Sequence, residues 1–283
     1  MSAAVLTDAL GPRARRRVVV ATVGSAVLLA LFVAVGLRRF AAEGQLEGDL
    51  YTVFLDPDVA RLLANGLLVT LRLALLAMAL AVALGTVLAL GRIARSPVVR
   101  FGVGIYVQFF RAMPVLLLII FSRFGLPQFG LRFSNFTYIT FALVAYNSAV
   151  LAEIFRAGIL SLDRGQTEAA YAIGLRYWQA MRIVILPQAA RRMIPAIVSQ
   201  LVTLLKDTSL GYIISFRELL RIGQTIGETL DAQLQALLLV ALIYVLINLV
   251  LSRIAARLER RQRARYRADP IEVRGGPEDL VVT

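Results

Sequence analysis

Gly165-Gln166-Thr167-Glu168-Ala169-Ala170-Tyr171-Ala172-Ile173-Gly174, followed after nine residues by Val184-Ile185-Leu186-Pro187, interrupts an otherwise apolar chain. The surrounding segment, 157–192, is too polar to cross a bilayer and too apolar to be disordered. Ala169, Ala170, Ile173, Tyr177, Met181 and Ile185 recur in it at roughly helical spacing. Two short helices are expected, one from about Arg164 ending at Gly174 and one from about Arg176 ending before Pro187. Their residue types suit close approach to another surface. Ala169 and Ala170 are small, Glu168 offers a charge near the middle of the first helix, and Gly174 permits a turn. Pro187 then separates the pair from the next apolar run. Amphipathicity alone favours a loop lying on a membrane surface over one that docks.

Outward from this segment the chain is hydrophobic, 59% apolar with mean hydropathy +0.74. A spanning helix needs about 20 mostly apolar residues. Such runs occur near 18–36, 66–90, 101–121, 136–155, 193–214 and 233–252. The expected fold class is all-α: a polytopic membrane protein with six transmembrane helices and the two short helices on one side. Helix two should open after Asn65-Gly66, and Pro114 should bend helix three by deleting a backbone donor. A polar break, Lys206-Asp207-Thr208-Ser209, follows helix five, and an amphipathic piece around 216–230 precedes helix six. The first run follows Arg13, Arg15, Arg16 and Arg17 and is longer than a cleavable signal core, so it reads as a retained helix.

The formal charge is +13. Nucleic-acid binding needs a basic patch on a folded soluble domain, and these charges have another use. With the N-terminus inside, 21 of the 31 Arg and Lys residues fall in inner segments and 7 in outer ones. The outer set is Arg38, Arg39, Arg61, Arg123, Arg132, Arg217 and Arg221. The bias sets the orientation, with both termini in the cytoplasm and segment 157–192 on the inner side.

The chain has no Cys and no His, so disulfides, thiolate nucleophiles, the usual zinc ligands and the usual general base are all missing. No catalytic residue and no metal site is expected. A phosphate-cradling loop needs Gly-Lys followed by Ser or Thr. The only lysine, Lys206, stands between Leu205 and Asp207. If transport is ATP-driven, the motor is a separate polypeptide.

The interrupting segment resembles the coupling loop of bacterial ABC import permeases, Glu-Ala-Ala, three residues, Gly, nine residues, Ile-x-Leu-Pro, with Val184 at the Ile position. Glu153-Ile154-Phe155-Arg156-Ala157-Gly158-Ile159, Leu186-Pro187-Gln188-Ala189 and Lys206-Asp207-Thr208-Ser209-Leu210 look like the polar amino acid branch. Arg111-Ala112-Met113-Pro114 stands where that branch usually has Arg-Gly-Thr-Pro, and Ser199 where Asn is expected. The resemblance covers about residues 60–256. It implies the type I importer (MetI-like) fold and docking of the short helices on a partner ATPase. The coupling residues would be Gly165, Glu168, Ala169, Ala170, Gly174, Leu186 and Pro187. It further implies no cofactor in this chain, ATP and Mg being bound by the ATPase dimer. The other implied partners are a second permease, related or identical, an extracytoplasmic amino acid-binding protein, the amino acid itself and membrane lipid. The location would be the bacterial cell membrane.

Outside that core lie a basic tail over 1–17, an extra helix with its acidic outer loop over 18–59, and a second basic tail over 257–283, mobile beyond about 265. The extra helix is similar to one found in a permease of glutamate-type uptake systems. Glu43, Glu47, Asp49, Asp56 and Asp58 in the outer loop should be solvated. Ionisable groups at membrane depth usually face a cavity or a partner. Arg72, Arg111 and Lys206 are therefore pathway candidates for a substrate carboxylate, with Asn147, Thr208 and Ser209 as polar contacts. Against this, Arg72 and Lys206 could snorkel or pair, and Arg111 could satisfy carbonyls freed at Pro114. Glu153 and Arg156 read as an intrahelical pair, and Trp178 as either an interface anchor or a docking contact. Three cations favour an anionic amino acid such as glutamate. The rival reading is an autonomous secondary transporter or channel driven by an ion gradient. An intramembrane enzyme is more distant: without His or Cys it would need a Ser-Lys or paired-carboxylate site, and only Lys206 with Ser209 could contribute to the first.

Overall fold

The computed structural model describes residues 11–267, with side chains to residue 260, and among these residues the regular structure is all helical with no strand. Eleven α-helices run through them in order. The first six are α1 Pro12–Ala42, α2 Asp49–Thr52, α3 Pro57–Arg92, α4 Pro97–Ala112, α5 Val115–Phe124 and α6 Asn135–Leu160. They are succeeded by α7 Arg164–Ala172, α8 Tyr177–Ala180, α9 Leu186–Asp207, α10 Leu219–Thr229 and α11 Gln233–Arg267.

The core forms where α6 lies against α3, the largest interface between two elements, with α5 and α9 packed on its other sides. Leu73, Ala77 and Ala81 of α3 meet Ile139, Leu143 and Leu151 of α6, all at most 1% exposed. Close van der Waals packing holds these helices together once assembled, and small residues let their backbones approach.

Four described helices, α1, α3, α6 and α11, are long and apolar enough to cross a membrane, and the bent pair α4 and α5 makes a fifth if it is one span. The six-span expectation is thus met only in part. The run near 193–214 does not persist as one helix. α9 starts earlier, at Leu186, and stops at Asp207, and residues Thr208–Ile214 tighten into a 3₁₀ segment. Gln188, Arg191, Arg192, Ser199, Gln200 and Thr203 make α9 too polar to count as a span by composition. The expected bend in helix three is a break of 99°, with Met113 and Pro114 extended between α4 and α5. Pro114 accounts for it, because the residue before a proline is pushed out of the helical region.

Helix two does not open after Gly66. α3 begins at Pro57, where Asp56 caps it by accepting a 2.7 Å bond from the Asp58 amide. Proline at the first position and an Asp cap are strong start signals. Gly66 instead marks a close approach: a Cβ there would lie 3.1 Å from Leu219 Cα and 3.0 Å from Ile222 Cδ1. The acidic loop expected on the outer side is a short connection through α2, with Glu43, Glu47, Asp49, Asp56 and Asp58 exposed as expected.

The termini depart from simple tails. Arg13, Arg15, Arg16 and Arg17 belong to α1, and α11 continues through Arg267. Residues 268–283, which hold most of the expected mobile tail, lie outside the described residues, as do 1–10. α1 buries no residue against the rest of the described chain.

Candidate functional site

Segment 161–187 projects from the end of the core where α3 finishes and α6 finishes. Asp163 starts α7 by accepting a 2.8 Å bond from the Gly165 amide. α7 closes on Gly174, which has φ +84°, a conformation that favours glycine. The Gly174 amide bonds to Tyr171 O at 2.9 Å and the Leu175 amide to Ala170 O at 3.1 Å, the two bonds of a Schellman cap. The first short helix therefore ends where the spacing placed its end.

The second does not stop before Pro187. The chain stays helical from Tyr177 into α9 through a π turn at Met181–Ile185, in which the Leu186 amide bonds back to Met181 O. Proline removes a donor and crowds the preceding turn, and the wider turn absorbs this without ending the helix. Pro187 thus sits in the first turn of α9, and the short helix is joined to a core helix as one lever.

Gln188 on α9 donates a 3.0 Å bond to Gln166 on α7, and Arg192 donates to Ser161 O at 2.9 Å. Ala170 is buried, while Glu168, Ala169, Gly165 and Pro187 are exposed and Leu186 is half-buried. Ile173 at 77% and Trp178 at 66% exposure leave a large apolar face uncovered at the tip. Beneath it a cavity of about 520 Å³ is lined by Leu162, Thr167, Tyr171 and Met181.

A second region lies between α9 and α11. Lys206 and Ser209 border a crevice of about 480 Å³ with Tyr244, Asn248 and Ser252. Asn248 donates to Tyr244 O at 2.7 Å, leaving its buried Oδ1 with no partner. Thr208 is fully buried and bonds to Leu205 O at 2.6 Å, and Ser209 bonds to Lys206 O at 2.7 Å. Asn147 is fully buried on α6, donates to Leu143 O, and accepts a 2.7 Å bond from Gln200 on α9. Arg72 on α3 and Arg111 at the end of α4 are exposed and lie outside this crevice. Of the six pathway candidates, the structure brings together Lys206 and Ser209.

The Glu153 and Arg156 pair is present at 2.9 Å and is extended by Arg92 of α3, 3.0 Å from the same carboxylate. By sequence Arg92 counts only as an inner charge. Gln200, Tyr244 and Asn248 also escape a sequence reading, although a polar side chain in an apolar helix is itself a signal.

The family model described as binding-protein-dependent transport system inner membrane component matches residues 81–264. The chain belongs to this family. As such a transport component it is similar to the glutamate transport system permease protein GluD of Corynebacterium glutamicum, 39% identical over 65% of this chain and 68% of that protein. It is 41% identical to the probable glutamine ABC transporter permease protein GlnP of Bacillus subtilis over 57% of this chain and 74% of that one. A crystal structure of an amino acid ABC transporter with histidines covers 75% of this transport component and 98% of its own chain, with 31% identity and TM-score 0.70. An inward-facing MetNI methionine ABC transporter shares the fold at TM-score 0.58 and 21% identity, over 72% of this chain and 99% of its own. The fold is that of the type I ABC importer permeases, as the family resemblance implied.

Proposed function

We propose that this chain is the permease subunit of an ATP-driven importer of polar amino acids, glutamate or a related acidic or amide amino acid, in the bacterial cell membrane with both termini cytoplasmic. The observation that carries the proposal is the spaced segment 165–187 folded as a projecting helix pair, its first helix Schellman-capped, with Tyr171 and Ile173 uncovered. An exposed apolar tip of this kind calls for a protein partner. Gly165, Glu168, Ala169, Ala170, Gly174, Leu186 and Pro187 form or support that docking element. The partner is an ATPase dimer that binds ATP and Mg, the chain itself having no phosphate loop.

One chain supplies half of the pathway, and a second permease, related or identical, supplies the rest. An extracytoplasmic binding protein delivers the amino acid. Nucleotide binds the two conformations of the assembly unequally, so closure of the ATPases draws the coupling elements together and opens the permease pair outward. Hydrolysis lets it relax and open inward. The π turn that joins α8 to α9 would carry this displacement directly to Lys206 and Ser209. Lys206 is the foremost candidate for the substrate carboxylate, with Ser209 beside it. Arg72 and Arg111 remain candidates through faces turned to a second subunit, while Asn147 ties α6 to α9 through Gln200 and Thr208 bonds back to Leu205 at the end of α9.

The relatives' names support the cargo class: glutamate for GluD and glutamine for GlnP. A detergent pull-down with the tagged chain tests the assembly, and recovery of an ATPase in stoichiometric amount is expected. Recovery of none at any salt concentration, with transport persisting on an ion gradient alone, would favour an autonomous secondary transporter.

A further inference from the structure

The turn between α3 and α4 and the start of α8 form a cleft separate from the cavity under α7. It measures about 340 Å³ and is lined by Leu90, Ile93, Ala94, Arg95, Tyr177 and Trp178. The Arg95 guanidinium lies 4.9 Å from the Tyr177 ring centre, and Tyr177 meets Trp178 edge to face at 5.3 Å. Arg95, Arg100 and Arg176 are all exposed. Arg100 donates to Ala94 O at 3.4 Å, which draws it toward the same turn. The two segments that meet here, 91–101 and 169–206, contain no Asp or Glu. The cations therefore have no carboxylate of their own segments to neutralise them.

Leu90 belongs to the last turns of a spanning helix, so the cleft opens where the apolar span ends. Trp178 is 66% exposed beside it, and Val98 and Phe101 at the start of α4 are 79% and 72% exposed. Indole and phenol rings favour the headgroup level of a bilayer, and arginines there attract acidic headgroups. An apolar floor, an aromatic wall and an unneutralised arginine rim match an amphiphile better than free phosphate.

We propose that this cleft binds the headgroup of an anionic phospholipid of the inner leaflet, with Arg95 and Arg100 contacting the phosphate and Trp178 lying along the upper acyl chain. The site rests on the cytosolic placement of segment 157–192 that the proposed function requires. By holding α8 to the α3–α4 turn, the bound lipid fixes the base of the coupling element.

Trp178 is the only tryptophan, so its emission reports this cleft alone in the purified full-length chain. The chain is reconstituted in nanodiscs of phosphatidylcholine carrying brominated phosphatidylglycerol or, at equal mole fraction, brominated phosphatidylcholine. Quenching of Trp178 should be stronger with the anionic lipid. Arg95→Gln and Arg100→Gln should each reduce the apparent preference by about five-fold, and Arg95→Lys should retain most of it. Excess inorganic phosphate should leave the preference unchanged. Equal quenching by the two lipids overturns the proposal, and erasure by phosphate assigns the site to a free anion and overturns it as well. No quenching by either, with a Trp178 shift on adding the partner ATPase, gives the face to protein docking instead. Amino acid uptake by the same variants reads the transport function separately, so loss of lipid preference and loss of transport are distinguishable failures.

Discussion

Arg92 Nε at the end of α3 lies 3.0 Å from Glu153 Oε1 on α6, and the other oxygen of that carboxylate is held by Arg156 Nη2 at 2.9 Å. One carboxylate thus ties α3 to α6 at the end of the bundle from which segment 161–187 leaves. The three side chains are between 16% and 33% exposed. Removing the shared acceptor leaves two cations partly buried. Glu153→Ala should therefore lower stability by about 2 kcal/mol, seen as an earlier thermal unfolding transition in detergent. Arg156→Ala should cost less, because Arg92 still holds the carboxylate. Equal and negligible effects would mean the cluster is solvated and contributes nothing.

Gly174→Val tests the cap of α7. At φ +84° a side chain is strained by about 1–2 kcal/mol, and a β-branched one more. The effect is local to a projecting turn, so expression and global unfolding should be near wild type while uptake falls several-fold. Gly174→Asn, which tolerates the left-handed region, should be milder. Unchanged uptake in Gly174→Val would detach the turn from transport.

Gly66→Leu tests the packing of α3 against α10. Beside the Ile222 side chain, which could move, stands backbone at 3.1 Å, Leu219 Cα, which cannot rotate away. Overpacking of this kind costs about 1–3 kcal/mol, read as a lower unfolding temperature. Wild-type stability in this variant would place α10 elsewhere.

Lys206→Ala tests the α9–α11 crevice. Loss of a hydrogen bond to a charged group is worth about 1.5–3 kcal/mol, a rise of roughly ten-fold or more in the apparent KM for an acidic amino acid. Arg111→Ala, exposed on a different helix, is the comparison. An unchanged KM in both variants would remove them from the path.

Much of the bundle is legible in the sequence, because bilayer length and hydropathy are properties of single segments. α6 falls within a few residues of its expected place on that basis, and Pro114 marks the break between α4 and α5. Segment ends are less legible where local signals compete. Asn65-Gly66 reads as a turn, yet Gly66 is there for its missing side chain, a fact held by Leu219 some 150 residues away and invisible to local pattern. Pro187 reads as a stop because a proline in a standard helix is costly. A π turn removes that cost, and no composition rule announces it. The Gly174 turn is readable since a left-handed cap has a one-residue signature. The crevice is half readable: Lys206 stands out as a charge in an apolar run, whereas Tyr244 and Asn248 reach it only because α11 packs on α9.

The chain contains no cysteine, so Ile173→Cys, at the 77% exposed tip of the coupling element, carries a single reactive thiol. Attaching a photo-crosslinker there in intact cells and identifying the captured protein probes the coupling account at its source. The predicted result is a covalent adduct with an ATPase subunit, with labelling by a membrane-impermeant reagent only from the cytoplasmic face. Labelling from the external face, or a captured set containing no ATPase while uptake proceeds, would contradict it.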